Sequence, residues 1–364
     1  MRATAIALVM VVGLVMAGQA TVFSPPQTQV EPQIKLQTVL INVPVVVYDK
    51  KTGEVYQNLG PQNFQIFEDK VRQEITNFSP ISDGVNVVLT LENNRRLREI
   101  NRGDYQPLFD EVLAAASTFV GQFMRKGDYV AIVSYHMRPK VEADFTDNAG
   151  QLRLAISRMG RDILSFSESN LYDALVFVLT GGKDDEGNEY KGLVEVEGRT
   201  AVVLVATGFD TFSRATLDEA LRIIERVGVP VYTVGIGNLF YKRYEPWLSS
   251  RASVDFLLAF NTLRSIAERS GGRHFPVTFE SELAATISTI SALLHSQYSL
   301  AYTPSNLRTE GKKRKIEVLV DVDEDGTPDN DRLVVQYRES YREPKRGEGW
   351  GSLRWQRRNE DGDA

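Results

Sequence analysis

The chain has 364 residues, 42% of them hydrophobic, a net charge of −6 and no cysteine. That is enough for about two ordinary domains with real cores. The missing basic excess excludes nucleic-acid binding and attraction to an anionic membrane surface, and the missing cysteine excludes disulfides, thiolate metal sites and lipid attachment through an N-terminal cysteine.

Residues 1–20 have the layout of a secretory signal peptide. Met1-Arg2 is a positive start, Ala3 to Val15 is an almost unbroken apolar run, and small residues lead to Ala20. The run falls short of the ~20 residues a spanning helix needs, so cleavage rather than anchoring is expected. No later stretch approaches spanning length, so no membrane insertion is expected after cleavage. The chain is expected to be secreted or to reside in the periplasm or cell envelope. Residues 21–34 are rich in Pro and Gln and read as a linker.

Residues 35–80 carry strand patterns. Val39 to Tyr48 is β-branched and ends at a turn cluster, Asp49-Lys50-Lys51-Thr52-Gly53. Pro44 cannot donate to a ladder, which places it at an edge or at a break in the strand. Phe64 to Glu68 and Gln73 to Phe78 follow as two short alternating stretches.

From 84 to 296 strands and helices alternate. Val85 to Leu91 is an apolar run of buried-strand length, and Leu108 to Met124 has apolar residues at helical spacing. Tyr129 to Tyr135, Ala201 to Ala206 and Val229 to Ile236 read as further strands. Thr216-Leu217-Asp218-Glu219 opens a helix with a capping box that Gly228 closes. Helices also fit Asn261 to Arg269 and Glu280 to His295. Apolar strands between helices predict a doubly wound, mostly parallel α/β sheet covered on both faces.

Residues 297–342 return to strands at Gln297 to Tyr302, Lys315 to Val320 and Arg332 to Tyr337, and 343–364 form a charged, Gly-rich tail. Neither β segment alone can bury a core, so the two flanks are expected to pair as an accessory β-module.

Motifs for catalysis are missing. His136, His274 and His295 fall in no metal-ligating pattern, no Gly-x-Ser-x-Gly elbow or phosphate-binding loop exists, and Gly235-Ile236-Gly237 lacks the third glycine of a dinucleotide fingerprint. The chain is expected not to be an enzyme. Phe240-Tyr241 and Tyr244 with Trp247 could form an exposed contact patch, but packing against the helices is the expected role.

In an open α/β sheet ligands gather at the carboxyl ends of the strands. Those ends are Glu92 to Arg96, Ser167 to Leu175 and Ala206 to Thr211, all polar and rich in oxygen. A hard cation such as Mg²⁺ suits that chemistry. A second oxygen-rich group is Asp321, Asp323 and Asp325 with Gly326 and, further on, Asp329. It matches the start of a calcium loop of the EF-hand kind, but the twelfth position is Arg332 and the flanking elements are strands. A calcium site and a solvated acidic hairpin both remain open.

From Leu36 to about Pro344 the chain resembles the von Willebrand factor A domain, in the bacterial, acidobacterial-type VWFA-related group. The resemblance is carried by Val45 to Asp49, Phe64 to Asp69, Arg125 to Val130, Leu171 to Leu175, Gly271 to Phe275 and Gln297 to Pro304. It implies protein binding or adhesion. The family's metal-ion-dependent adhesion site would place Glu92 at the position of its first Asp, Asn94 and Arg96 at its two Ser positions, Ser169 at its Thr and Thr207 at its later Asp, with Asp210 three residues beyond. With Arg95 and Arg96 beside Glu92, a guanidinium would repel Mg²⁺ and bridge to Glu92 or Asp210. The resemblance therefore implies a degenerate site on an exported, non-enzymatic protein-binding protein. A metal-free structural scaffold or complex subunit is the alternative, and the partner in either case is another protein.

Overall fold

The computed structural model describes residues 40–99, 108–161, 168–244, 249–308 and 310–345. The expected signal peptide, the linker and most of the charged tail lie outside the described residues.

The strands are β1 (Ile41–Asp49), β2 (Phe64–Glu68), β3 (Val71–Gln73), β4 (Ile75–Ser79), β5 (Val85–Glu92), β6 (Tyr129–Tyr135), β7 (Pro139–Thr146), β8 (Gly182–Lys183), β9 (Glu189–Tyr190), β10 (Arg199–Ala206), β11 (Val231–Gly235), β12 (His274–Pro276), β13 (Gln297–Tyr302), β14 (Lys313–Val320), β15 (Leu333–Gln336) and β16 (Ser340–Arg342). The helices are α1 (Arg95–Glu99), α2 (Leu108–Phe123), α3 (Ala149–Met159), α4 (Leu171–Thr180), α5 (Leu217–Val227), α6 (Gly237–Tyr244), α7 (Ser250–Ser270) and α8 (Glu282–His295).

The central sheet runs β12-β11-β10-β5-β6-β7, parallel except for β7, which pairs antiparallel with β6. The expected doubly wound, mostly parallel sheet is thus present. Side chains alternate across a strand, and the two helical layers divide them. Val85, Val87, Leu89, Leu91, Val203 and Val205 face the side covered by α2, α3 and α8. Val88, Val202, Leu204 and Ala206 face the side covered by α4, α5 and α7. Burial on both faces is why these strands read as unbroken apolar runs.

The flanks form a β-sandwich, one sheet ordered β15-β1-β13-β4 and the other β16-β14-β2-β3. Its core joins Val43, Val45, Phe64, Ile66, Tyr298, Leu300, Val318 and Tyr341. On β1 the alternate residue Val46 belongs to the α/β core instead, with Tyr48 packed beside it. The strand is covered on both faces, which accounts for its continuous valines. β1 is unbroken at Pro44. There it pairs with Ser299 of β13, while β15 joins β1 only from Val46 onward, so the edge expected at Pro44 is a local one.

One charged network is buried in this sandwich. Glu68 accepts from Tyr302 Oη and Tyr341 Oη at 2.8 Å each and from Arg314 Nη1 at 2.6 Å. Arg314 Nε reaches Glu343 Oε1 at 2.5 Å. Buried charges of this kind are tolerated because they are paired and hydrogen-bonded.

Several elements differ from the sequence reading. α7 begins at Ser250, well before Asn261, because its first half shows apolar residues on both faces: Val254, Leu257 and Leu258 are exposed while Ala259 is buried. β7 and α3 were not singled out from the sequence: β7 is an edge strand with no fully buried residue, whereas α3 does carry Leu152, Ala155, Ile156 and Met159 at helical spacing.

Candidate functional site: the rim of the central sheet

Three loops meet where β5, β10 and the N-terminus of α4 end. Ser169 O accepts from Thr211 N–H at 2.8 Å, and Asn170 Oδ1 accepts from Phe212 N–H at 3.1 Å. Asp210 Oδ1 accepts from Tyr172 N–H at 3.2 Å. The first loop is held by Arg98, which donates to Asn93 Oδ1 and Met159 O and lies 4.0 Å over the Phe109 ring. The convergence expected of 92–96, 167–175 and 206–211 is seen among the described residues, with Ser167 outside them.

Glu92 lies at the floor, 1% exposed. Its carboxylate accepts from Thr207 N–H at 2.6 Å, from Thr207 Oγ1 at 2.8 Å and from Asn94 Nδ2 at 2.8 Å. Desolvation raises its carboxyl above the usual range, although the hydrogen bonds from Thr207 and Asn94 pull the other way. These donors are neutral amides and hydroxyls, and a guanidinium bridge from Arg96 to Glu92 or Asp210 lies outside the described residues. Arg95 is solvent-exposed at the start of α1, and the Arg96 side chain lies outside the described set.

The remaining rim groups are also committed. Asn94 Oδ1 caps α1 by accepting from Leu97 N–H at 3.1 Å. Asp210 accepts from Ser213 Oγ at 2.5 Å and from Ser213 N–H at 3.3 Å. Burial raises its carboxyl despite those bonds. Ser169 Oγ is buried facing Glu92 and Tyr135 Oη, and Thr90 Oγ1 is buried without a hydrogen-bond partner nearby on the sheet. A dication wants several oxygen ligands with free lone pairs and at least one available carboxylate. Here Glu92 and Asp210 are engaged by internal donors and the nearby hydroxyls are neutral, which leaves the exposed Asp255 of α7 as a single carboxylate for a dication. The rim residues do not fit a resident Mg²⁺.

What the rim offers instead is a cavity of about 200 Å³ lined by Leu97, Ser169, Thr207, Phe209, Asp255 and Phe256. Its apolar wall is an aromatic cluster, with Phe256 edge-on to Phe209 at 4.9 Å and to Tyr241 at 5.4 Å. Tyr241 thus packs against a helix as expected, whereas Trp247 and the side chains of Phe240 and Tyr244 lie outside the described residues. Asp255, Phe256 and Ala252 were not singled out from sequence. They reach the rim only because α7 starts early and passes over it. Val254, Leu257 and Leu258 on the outer side of that helix are 55%, 59% and 59% exposed.

The second acidic group is in the loop between β14 and β15. Asp321, Asp323 and Asp325 each bring one carboxylate oxygen within 4.8 Å of the others. Asp329 is not with them, for it accepts from Val322 N–H at 2.8 Å and from Arg332 Nε at 2.7 Å.

Residues 104–269 match the family model of the von Willebrand factor type A domain. No curated protein matches the chain. Among solved structures, similarity is found to the PilB minor pilin of Streptococcus sanguinis, at 10% identity over 60% of this chain and 63% of that one, TM-score 0.41. Proximal thread matrix protein 1 of the mussel byssus is similar at 12% identity over 66% of this chain and 51% of that one, TM-score 0.43. The vWF domain of the type V pili tip protein Mfa5 from Porphyromonas gingivalis is similar at 13% identity over 58% of this chain and 94% of that one, TM-score 0.38. The chain thus spans less than two thirds of the pilin and about half of the byssus protein.

Proposed function

Since this chain carries a von Willebrand factor type A domain, we propose that it is an exported, non-enzymatic protein-binding protein that engages its partner through the rim of the central sheet without a metal ion. The observation that supports this most directly is the state of Glu92. Its oxygens are occupied by Thr207 and Asn94. Turning that carboxylate toward an ion would leave the Thr207 and Asn94 donors unpaired in a buried place. The aromatic cavity and the exposed Val254, Leu257 and Leu258 of α7 supply the alternative, an apolar contact of the kind that marks protein interfaces. The alternative role of metal-free scaffold or complex subunit uses the same fold with no partner at this rim.

The test immobilises the chain from residue 21 onward on beads and measures retention of an envelope protein extract. Leu257→Asp with Leu258→Asp is expected to lower retention ~10-fold, as loss of apolar contacts at an interface centre does, while leaving the melting temperature unchanged. EDTA is expected to leave retention unchanged. Retention abolished by EDTA and restored by Mg²⁺ would overturn the metal-free rim. Retention indifferent to the α7 pair would move the contact elsewhere, and no retention at all would favour the scaffold role.

A further inference from the structure

We infer that the loop joining β14 to β15 is a calcium site formed by Asp321, Asp323 and Asp325, which ties together the two sheets of the sandwich. β14 pairs with β2 in one sheet and β15 with β1 in the other, so residues 321–332 carry the chain from layer to layer. The feet of the loop are fixed. Asp321 N–H donates to Asn63 O at 2.9 Å, and Asn63 Nδ2 donates back to Asp321 O at 2.9 Å. Asn330 accepts from Val320 N–H at 2.8 Å and donates to Val318 O at 3.0 Å.

Three carboxylates within 4.8 Å of one another would mean little if all were in solvent. Asp321 is not: it is 8% exposed. Its Oδ2 accepts from Gly326 N–H at 2.8 Å, while its Oδ1 is buried and has no hydrogen-bond partner. A carboxylate oxygen shielded from water, without a donor and next to two further carboxylates, is a good ligand for a cation. Arg332 is the nearby cation, and its contacts are with Asp329 and Asp323 rather than Asp321. Its Nε is on Asp329 at 2.7 Å and its Nη2 is 3.9 Å from Asp323. The unserved oxygen of Asp321 points to an ion.

The ligand chemistry selects which ion. The donors are carboxylate oxygens with no histidine or cysteine among them, which favours a hard cation over zinc. Calcium accepts a flexible shell of carboxylates, backbone carbonyls and water, whereas Mg²⁺ demands near-ideal octahedral geometry. Asp329 is excluded as a ligand by Val322 and Arg332, which leaves the site short of carboxylates. Weak affinity follows, with a dissociation constant of ~0.1–1 mM as in extracellular calcium modules.

The experiment is calcium titration of the full chain after chelator treatment, read by calorimetry and by thermal melting. About 5 mM CaCl₂, several times the expected dissociation constant, should raise the melting temperature by about 2–4 °C. MgCl₂ should do less. Asp323→Asn with Asp325→Asn changes exposed positions and preserves the fold, and should weaken calcium binding at least ~10-fold through loss of two of three charged ligands. Glu92→Gln should keep the full calcium response, which separates this site from the rim. The inference is overturned if the wild type shows neither heat nor shift, if the Asp323/Asp325 pair responds like wild type, or if Glu92→Gln abolishes the response.

Discussion

His274 opens β12 with its Nδ1 2.8 Å from Thr233 Oγ1, its ring edge-on to Phe260 at 4.8 Å and its Nε2 buried without a partner. Burial, aided by the positive field of Arg264, lowers its pKa to about 4. The fold therefore holds this imidazole neutral, whereas the unfolded chain takes up a proton below pH ~6.5. Between those two values the unfolded state binds more protons, so stability rises with pH there and is lost as the pH falls. Urea unfolding should show a midpoint that declines from about pH 6.5 toward pH 4. In His274→Leu that decline should be shallower, and an identical decline would assign it to other groups. Glu68 illustrates the opposite solution at the same scale. Strand alternation puts it on the inner face with Phe64 and Ile66, and a buried carboxylate there is viable only because Arg314, Tyr302 and Tyr341 arrive from distant segments. Nothing local in Phe64 to Glu68 announces those partners. The rim behaves likewise: Glu92 was legible as a strand-end carboxylate, but its capture by Thr207 depends on β10 lying beside β5.

At the scale of elements, caps and stops were well written in the chain. Thr216 accepts from Glu219 N–H at 3.3 Å and Glu219 Oε2 accepts from Thr216 N–H at 2.9 Å, the reciprocal capping box its spacing implies. The C-terminal stop of α7 is more constrained than a helix end requires. Gly271 has φ +84°, and a Cβ there would lie 2.6 Å from the backbone nitrogen of Arg338. Gly271→Ala should combine the left-handed backbone cost of about 1–2 kcal/mol with a backbone clash, for a total loss above ~2 kcal/mol. Gly53 has φ +71° and open space around it. Gly53→Ala should show only the backbone part, so denaturant unfolding of the two variants isolates the cost of the close approach to Arg338. The start of α7 was illegible for a physical reason. A helix that buries one side under the sheet rim and leaves Leu257 and Leu258 in solvent has no single apolar stripe.

At the scale of the molecule, the sandwich is assembled from segments more than two hundred residues apart in sequence, as in the pairing of Ile41 with Tyr302. Each flank supplies half of a core, so neither should be stable alone. Deleting residues 313–345 removes β14, β15 and β16 and uncovers Phe64, Ile66, Tyr298 and Leu300. It also leaves β2 and β1 with open edges. The truncated protein should elute from size-exclusion chromatography as aggregate, and a monomer with native circular dichroism would show that the sandwich is dispensable. By itself the sequence determined the period of the long buried strands and of half the helices, the capping box at Thr216, and the division into parallel α/β centre and β flanks, because those follow from local spacing and turn chemistry. Only the tertiary structure decided which carboxylates are spent and which are free. That outcome depends on donors brought together across the fold: Thr207 onto Glu92, Ser213 onto Asp210, Arg332 onto Asp329, and none onto Asp321 Oδ1.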